Sequence, residues 1–137
     1  MKLALLLCLM AVPAAADTVF ATRTVRSQSV ITAQDVTLKD GALPGTLSKL
    51  SQAVGQEARV VLYAGRPILI DDIARPALIE RNQIVTLIVN RSGLRISTEG
   101  RALERGAAGD TVKAMNLSSR STVNGTVTSD GHIEIGQ

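Results

Sequence analysis

Residues 84–98 read IVTLIVNRSGLRIST, and this stretch decides the fold of the second half of the chain. The first six residues are apolar or β-branched, which is typical of a strand that is buried in a core. The following Asn-Arg-Ser-Gly segment indicates a turn, and residues 94–98 then alternate between apolar and polar side chains. The pattern predicts a β-hairpin with one apolar face and one polar face.

The chain downstream of this hairpin continues the β pattern. Strands are predicted over residues 111–117, 121–128 and 132–135, and Asp130-Gly131 predicts a type I′ turn before the last of them. Asn124-Gly125 has similar turn chemistry, but a turn there would leave strands that are too short, so a bulge is predicted instead. The fold class is therefore mainly β, and residues 78–137 are predicted to form a small antiparallel β-barrel-like domain.

The upstream half contains an internal repeat. Residues 25–36 (VRSQSVITAQDV) align without a gap to residues 62–73 (LYAGRPILIDDI). Each copy has an apolar start, a turn of small residues, an Ile, and an Asp four residues after that Ile. Thr32 and Asp35 have the spacing of a capping box, which predicts a single helical turn before a strand. A duplicated unit of this kind is expected to pair with itself around a pseudo-twofold axis.

One short helix is predicted between the two copies. Leu47, Leu50 and Val54 fall on one helical face, and Gly55 follows as a stop signal. Pro76 then separates the repeat-containing half from the purely β half. We therefore predict two domains after the N-terminal segment, over residues 17–77 and 78–137.

Residues 1–16 (MKLALLLCLMAVPAAA) have the features of a cleavable export signal. Lys2 precedes an apolar run of about ten residues, and Ala14 and Ala16 form an Ala-x-Ala cleavage site before Asp17. The apolar run is shorter than the roughly 20 residues that span a membrane as a helix. Cleavage would also remove Cys8, the single cysteine. The sequence predicts an exported protein of a bacterial envelope, without disulfides and without a stable membrane anchor after cleavage.

Composition argues against several classes of function. The chain has one Phe, one Tyr and no Trp, whereas single-stranded nucleic acids are bound on aromatic platforms, and its arginines are scattered singly. His132 is the only imidazole and lies next to a predicted turn, so neither a zinc site nor a Ser-His-Asp hydrolase is indicated. Asp71 and Asp72 are adjacent and point in different directions. We predict no catalytic residue, no metal, no cofactor and no nucleic-acid partner, and hence no enzyme.

The C-terminal motifs carry a resemblance to a known family. In order, residues 79–87, 92–103, 106–112, 116–119, 125–127 and 130–131 resemble the flagellar basal-body P-ring formation family, the FlgA-type periplasmic chaperones. Residues 31–36, 54–56 and 64–68 resemble the SAF domain, a β-clip module that occurs in that family and in pilus-assembly proteins. The resemblance covers about residues 22–135.

This resemblance implies a chaperone or assembly factor that binds the P-ring subunit before or during its polymerisation around the flagellar rod. Longer family members have a further N-terminal domain, and contact with peptidoglycan is left open. The alternative is a SAF-domain accessory protein of pilus assembly, which should lack the pattern from Gly106 to Gly131. Candidate contacts with the partner lie around the first hairpin of the second domain: Arg81, Arg91, Arg95 and Arg101.

Overall fold

A computed structural model describes residues 17–136, so the predicted signal with Ala14 and Ala16 lies outside the described residues. The described part is mainly β, as predicted. It contains one α-helix, α1 (Leu50–Ala53), and two 3-10 turns, Ala33–Asp35 and Ile70–Asp72. The strands are β1 (Asp17–Ala21), β2 (Val36–Asp40), β3 (Glu57–Ala58), β4 (Ile73–Ala74), β5 (Ala77–Ile79), β6 (Ile84–Arg91), β7 (Leu94–Ala102), β8 (Gly106–Ala107), β9 (Thr111–Asn116), β10 (Thr122–Val127) and β11 (Ile133–Ile135).

The internal repeat is visible in the structure. Each copy ends in a 3-10 turn that leads directly into a strand, β2 in the first copy and β4 in the second. The equivalent residues Val25 and Leu62 pair with each other, each N–H donating to the other's carbonyl at 2.8 and 2.9 Å. Ile31 and Ile68 are also equivalent, and both are fully buried. Reciprocal pairing of equivalent residues is what the predicted pseudo-twofold arrangement requires.

The predicted helical turn before β2 is confirmed, and the buried Asp35 carboxylate holds it together. Asp35 accepts hydrogen bonds from the Thr32 N–H at 2.8 Å and the Thr32 hydroxyl at 2.7 Å, and it pairs with Arg23. The hydrogen bond from Arg23, helped by those from Thr32, lowers the pKa of Asp35 to about 2. The equivalent Asp72 only accepts the Leu69 N–H, at 3.2 Å.

We predict that Asp35→Asn destabilises the protein at neutral pH and not in strong acid. Because the folded-state pKa lies below the ordinary value of 3.8, the carboxylate stabilises the fold above about pH 4 and loses this effect as the pH falls towards 2. The free energy of unfolding should drop by about 2 kcal/mol at neutral pH. Urea unfolding of Asp35→Asn at neutral pH and near pH 2 measures this, with Asp72→Asn as the control. Equal losses at both pH values would contradict the assignment.

The helix between the two copies is shorter than predicted. Leu47 is buried ahead of α1 and Leu50 packs against the same core, but Val54 is 37% exposed, so the predicted three-residue face is wrong at its last position. The chain becomes extended at Val54, with ψ at 128°. Gly55 then adopts a φ of 84°, which favours glycine. None of the helical segments in residues 17–136 has the length and hydropathy that a membrane-spanning helix requires.

The second half forms a closed barrel of five strands in the order β6–β7–β9–β10–β11. Four of the five pairings are antiparallel, as predicted, while β11 pairs with β6 in parallel. The parallel pairing was not predicted, and it follows from the strand count. When neighbouring strands alternate in direction, the first and the last of an odd number run the same way. The barrel interior contains Ile79, Val85, Leu87, Ala102, Val112, Ala114, Val127 and Ile133.

Two turn predictions in the barrel are corrected by the structure. At Asp130-Gly131 only the glycine has a positive φ, 76°, whereas a type I′ turn needs two such residues. The Gly131 N–H donates to the Thr128 carbonyl at 3.1 Å, so the loop is a three-residue connection with glycine at its end. At Asn124-Gly125 the register of β10 against β9 is continuous, and the predicted bulge is wrong.

Gly125 is needed for close packing instead of for a bulge. A Cβ atom at this position would lie 2.8 Å from the carbonyl oxygen of Glu134 and would also collide with the side chain of Ile133. Ile133 and Glu134 both belong to β11, and β11 pairs with β10 to close the barrel. The glycine therefore permits the close approach of these two strands.

Candidate functional site

Arg105 connects the two halves of the described chain. Its Nη2 lies 2.8 Å from Oε2 of Glu57 in β3, and its Nε lies 2.8 Å from Oε2 of Glu80, which follows β5. Glu57 also accepts the N–H of Ala77 at 3.1 Å, and its side chain is only 7% exposed. The hydrogen bonds that Arg105 donates hold the pKa of Glu57 below its usual value, and donating to the Glu57 and Glu80 carboxylates raises the pKa of Arg105. This network is a structural link beside the Pro76 segment.

A second and more exposed ion pair lies next to this link. Arg75 donates from Nη2 to Asp110 and from Nη1 to the carbonyl of Ala108, both at 2.7 Å. Both side chains of the pair are more than one third exposed, and pairs of this kind contribute little to stability. The charged side chains at the junction therefore pair with one another, and the junction is a structural contact.

The hairpin of β6 and β7 extends beyond the strands that flank it. β7 pairs with β6 at eight positions, but it pairs with β9 at only three, Gly100–Ala102. On the other side, β11 pairs with β6 only at Leu87–Val89. Ser92 and Gly93 both have positive φ values, 49° and 79°, which fit a two-residue type I′ turn. The turn end of the hairpin is therefore paired only within itself.

The face of the hairpin that lines the barrel continues onto this unpaired end. Gly100 and Leu87 are buried on that face, whereas Leu94 and Ile96 on the same face are 61% and 51% exposed. Val89 lies opposite Ile96 in the register and pairs with Ile135 of β11. We call Val89, Leu94, Ile96 and Ile135 the open rim. A hollow of about 420 Å³ lies beside it, between the hairpin turn and Ile135.

The four arginines predicted as partner contacts fall at two ends of this hairpin. Arg91 lies opposite Leu94 on the face of the open rim, whereas Arg95 lies opposite Asn90 on the other face of the hairpin. Both are exposed, and neither forms a salt bridge with another residue of the described chain. Arg101 lies opposite Ile84 at the far end of the hairpin, and Arg81 lies in the turn before β6. Arg91 and Arg95 thus share the turn end of the hairpin, on opposite faces, and are separated from the other two.

Sequence reasoning missed the exposure of Leu94 and Ile96. Their alternation with polar residues predicted the hairpin face correctly, but it does not tell where the neighbouring strands end. Glu57 and Arg105 were missed as partners because they are 48 residues apart in the chain. The one available signal was a single acidic residue in the mainly apolar segment around Glu57, which does not identify the base that neutralises it.

Comparison with known proteins identifies the family. The sequence matches a family described as “Chaperone for flagella basal body P-ring formation” over residues 16–135. The chain belongs to this family. The match includes the segment from Gly106 to Gly131, which a pilus-assembly accessory protein should lack. The predicted family resemblance is therefore confirmed.

Two curated relatives illustrate the similarity to this chaperone family. The chain is 30% identical over 107 residues to the flagellar protein FlgA of Rhizobium meliloti, covering 78% of this chain and 63% of the relative. It is 29% identical over 119 residues to the flagella basal body P-ring formation protein FlgA of Yersinia enterocolitica, covering 84% of this chain and 53% of the relative. The chain thus spans between about half and two thirds of the length of these relatives.

Solved structures agree with the family assignment. The crystal structure of Salmonella FlgA in open form superposes with a TM-score of 0.79 at 27% identity, covering 88% of this chain and 60% of that chain. The flagellar protein FlgA from Thermotoga maritima superposes with a TM-score of 0.63, also at 27% identity, covering 88% of this chain and 45% of that chain. The fold described above is therefore similar to that of FlgA.

Proposed function

We propose that this protein is a periplasmic chaperone that binds the P-ring subunit of the flagellar basal body before or during polymerisation around the rod. The observation that carries this proposal is the open rim, an exposed apolar surface at the end of a closed barrel. Exposed apolar patches with polar surroundings mark sites of protein interaction. Membership of a family of chaperones for P-ring formation supports the subunit of that ring as the partner.

The chemistry of the described residues supports binding as the mode of action. The groups with shifted pKa values, Asp35, Glu57 and Arg105, each lie in ion pairs that hold the fold together. Among residues 17–136, no group of three or more His, Cys, Asp or Glu side chains is placed to hold a metal ion. The absence of enzymatic activity stays a prediction. Binding of the subunit accounts for the open rim without any catalytic step.

The two-domain division predicted at Pro76 is part of this proposal. The buried residues of the first apolar core lie between Val19 and Ile68, and those of the second lie between Ile79 and Ile133. Two separate cores support modules over residues 17–77 and 78–137. The second module would then present the open rim to the subunit, while the Glu57–Arg105 link holds the first module against it.

Deletion of the gene tests the proposed function directly. Electron microscopy of basal bodies isolated from the deletion strain should show rods without P rings, and a plasmid copy of the gene should restore the rings. Binding is measured in parallel by mixing the purified mature protein with the purified P-ring subunit of the same organism. Normal rings and normal motility in the deletion strain would refute the proposal.

Export to the periplasm gives a further prediction. The mature protein should begin at Asp17, which is also the first residue of β1. Replacing Ala16 with Glu should block cleavage, because signal cleavage requires small residues at the Ala-x-Ala site. Ala15→Glu is the matched control, since the middle position of the site tolerates larger residues. Mass spectrometry of the periplasmic fraction reads out the N-terminus, and an uncleaved wild-type chain in the cytosol would contradict the prediction.

A further inference from the structure

The outer edge of β7 has main-chain groups without partners. In a hairpin closed by a two-residue turn, hydrogen-bonded pairs start at the residues flanking the turn and recur at every second position. The N–H and C=O groups of Leu94 and Ile96 therefore point towards β6, while those of Arg95 and Ser97 point away from it. Towards the hairpin turn, the last main-chain hydrogen bond on this edge of β7 joins it to the segment that follows β9: the Leu117 N–H donates to the Glu99 carbonyl at 3.1 Å.

Strand β9 cannot cover this edge because the chain turns back at Asn116. The side-chain carbonyl of Asn116 accepts the N–H groups of Ser118 and Ser119 at 2.9 and 3.2 Å, and its main-chain carbonyl accepts the Arg120 N–H at 2.8 Å. Within residues 17–136, the outward groups of Arg95 and Ser97 have no hydrogen-bond partner. We call residues 95–98 the free edge.

We propose that the free edge accepts an extended segment of the P-ring subunit, which adds as a strand beside β7; this inference rests on the proposed function. Adding a strand to an exposed edge satisfies main-chain groups on both partners, and side-chain positions alternate between two faces. On one face the added strand would lie next to Leu94 and Ile96, which selects apolar residues at alternate positions. On the other face it would lie next to Arg95, which selects an acidic residue.

The charges at the free edge favour a different protein over a second copy of this chain. Antiparallel pairing of two copies across their free edges would place Arg95 of each chain beside residues 95–97 of the other. Residues 95–98 contain no acidic side chain to balance Arg95, and the edge ends at Glu99, whose carbonyl already accepts the N–H of Leu117. Like charges on adjacent strands are destabilising, and charged residues are a common protection of edges against self-pairing. The complementary partner is therefore a strand that carries carboxylates.

Ser97→Pro tests strand addition at the free edge. Proline removes the outward N–H of residue 97 and places its ring at the edge, while the hydrogen bonds between β6 and β7 remain. We expect affinity for the purified mature P-ring subunit to fall about tenfold. The matched control Ser97→Ala keeps the N–H and should bind as the wild type does. Thermal unfolding of both variants shows whether the hairpin is intact.

A second pair of variants decides the matter if Ser97→Pro unfolds. Arg95 is exposed, so neither Arg95→Glu nor Arg95→Lys should affect folding, and only the charge reversal should weaken binding, by about tenfold. If the wild type does not bind the subunit, the proposed function fails. If the wild type binds while Ser97→Pro and Arg95→Glu bind equally well, strand addition is refuted and the proposed function survives. A wild-type dimer in sedimentation that Ser97→Pro dissociates would also overturn the inference, because a second copy would then occupy the edge.

Discussion

Arg105→Ala is expected to lower the free energy of unfolding by about 3 kcal/mol. The variant leaves the Glu57 carboxylate without its main partner, although that side chain is only 7% exposed. An uncompensated buried charge costs far more than the loss of a surface ion pair. Glu80 would lose the same partner, but it is exposed to solvent. Chemical unfolding followed by circular dichroism measures the difference.

The control for Arg105→Ala is Lys113→Ala. The Lys113 and Glu104 side chains are 3.9 Å apart and about half exposed, so their pair should contribute less than about 1 kcal/mol. Arg105→Lys should restore only part of the stability, because an ammonium group cannot hold Glu57 and Glu80 with one planar fork. Equal effects of Arg105→Ala and Lys113→Ala would show that the junction is no more than a surface contact.

The Glu57 carboxylate also gives the junction a dependence on pH. Its pKa is lowered from the ordinary 4.5 in the folded state, so it stabilises the fold above that value, and the stabilisation decreases as the pH falls below it. Arg105→Ala should remove most of this acid-dependent part. The wild type and the variant should therefore become more similar in stability as the pH is lowered.

Leu94→Asp combined with Ile96→Asp is expected to weaken binding of the P-ring subunit about 100-fold and to leave stability unchanged. Both side chains are more than half exposed in the free protein, so the fold loses little when they are replaced. In the complex, burial of each side chain is expected to contribute about 1.5 kcal/mol, and the two together account for this factor. Binding is measured by titration calorimetry with the mature subunit.

Ile84→Asp is the matched control for the open rim. Ile84 is 49% exposed and lies on the same hairpin, at the end opposite the turn. It should bind the subunit as the wild type does, because it lies away from the open rim. If Ile84→Asp weakened binding as much as the double variant, the contact would involve the hairpin surface in general, and the assignment to the rim would be wrong.

The elements that depend on local pattern could be predicted from the sequence. The spacing of Thr32 and Asp35 indicated the turn before β2, and the alternating and β-branched runs indicated the five barrel strands. The repeat was visible because equivalent positions keep the same chemistry, and the pairing of Val25 with Leu62 follows from it. In each case, the residues that determine the structure are close together or recur at a fixed offset.

The features that depend on distant segments could not be predicted. Leu94 and Ile96 are exposed only because β9 and β11 end before they reach the hairpin turn, and strand lengths are not encoded in the hairpin itself. The need for glycine at position 125 comes from the close approach of β11. In the sequence, a glycine needed for this reason cannot be told from one that marks a bulge. The partner of Glu57 is set by how the two halves meet.

Hydrogen exchange of the hairpin amides, measured with and without the P-ring subunit, tests the account most directly. The Arg95 and Ser97 amides have no partner in the free protein, so they should exchange rapidly, and they should slow markedly when the subunit is bound. Amides of the first core, such as that of Ile31, should change little. If the subunit binds and the exchange of residues 94–98 stays the same, the open end of the β6–β7 hairpin is not the binding site.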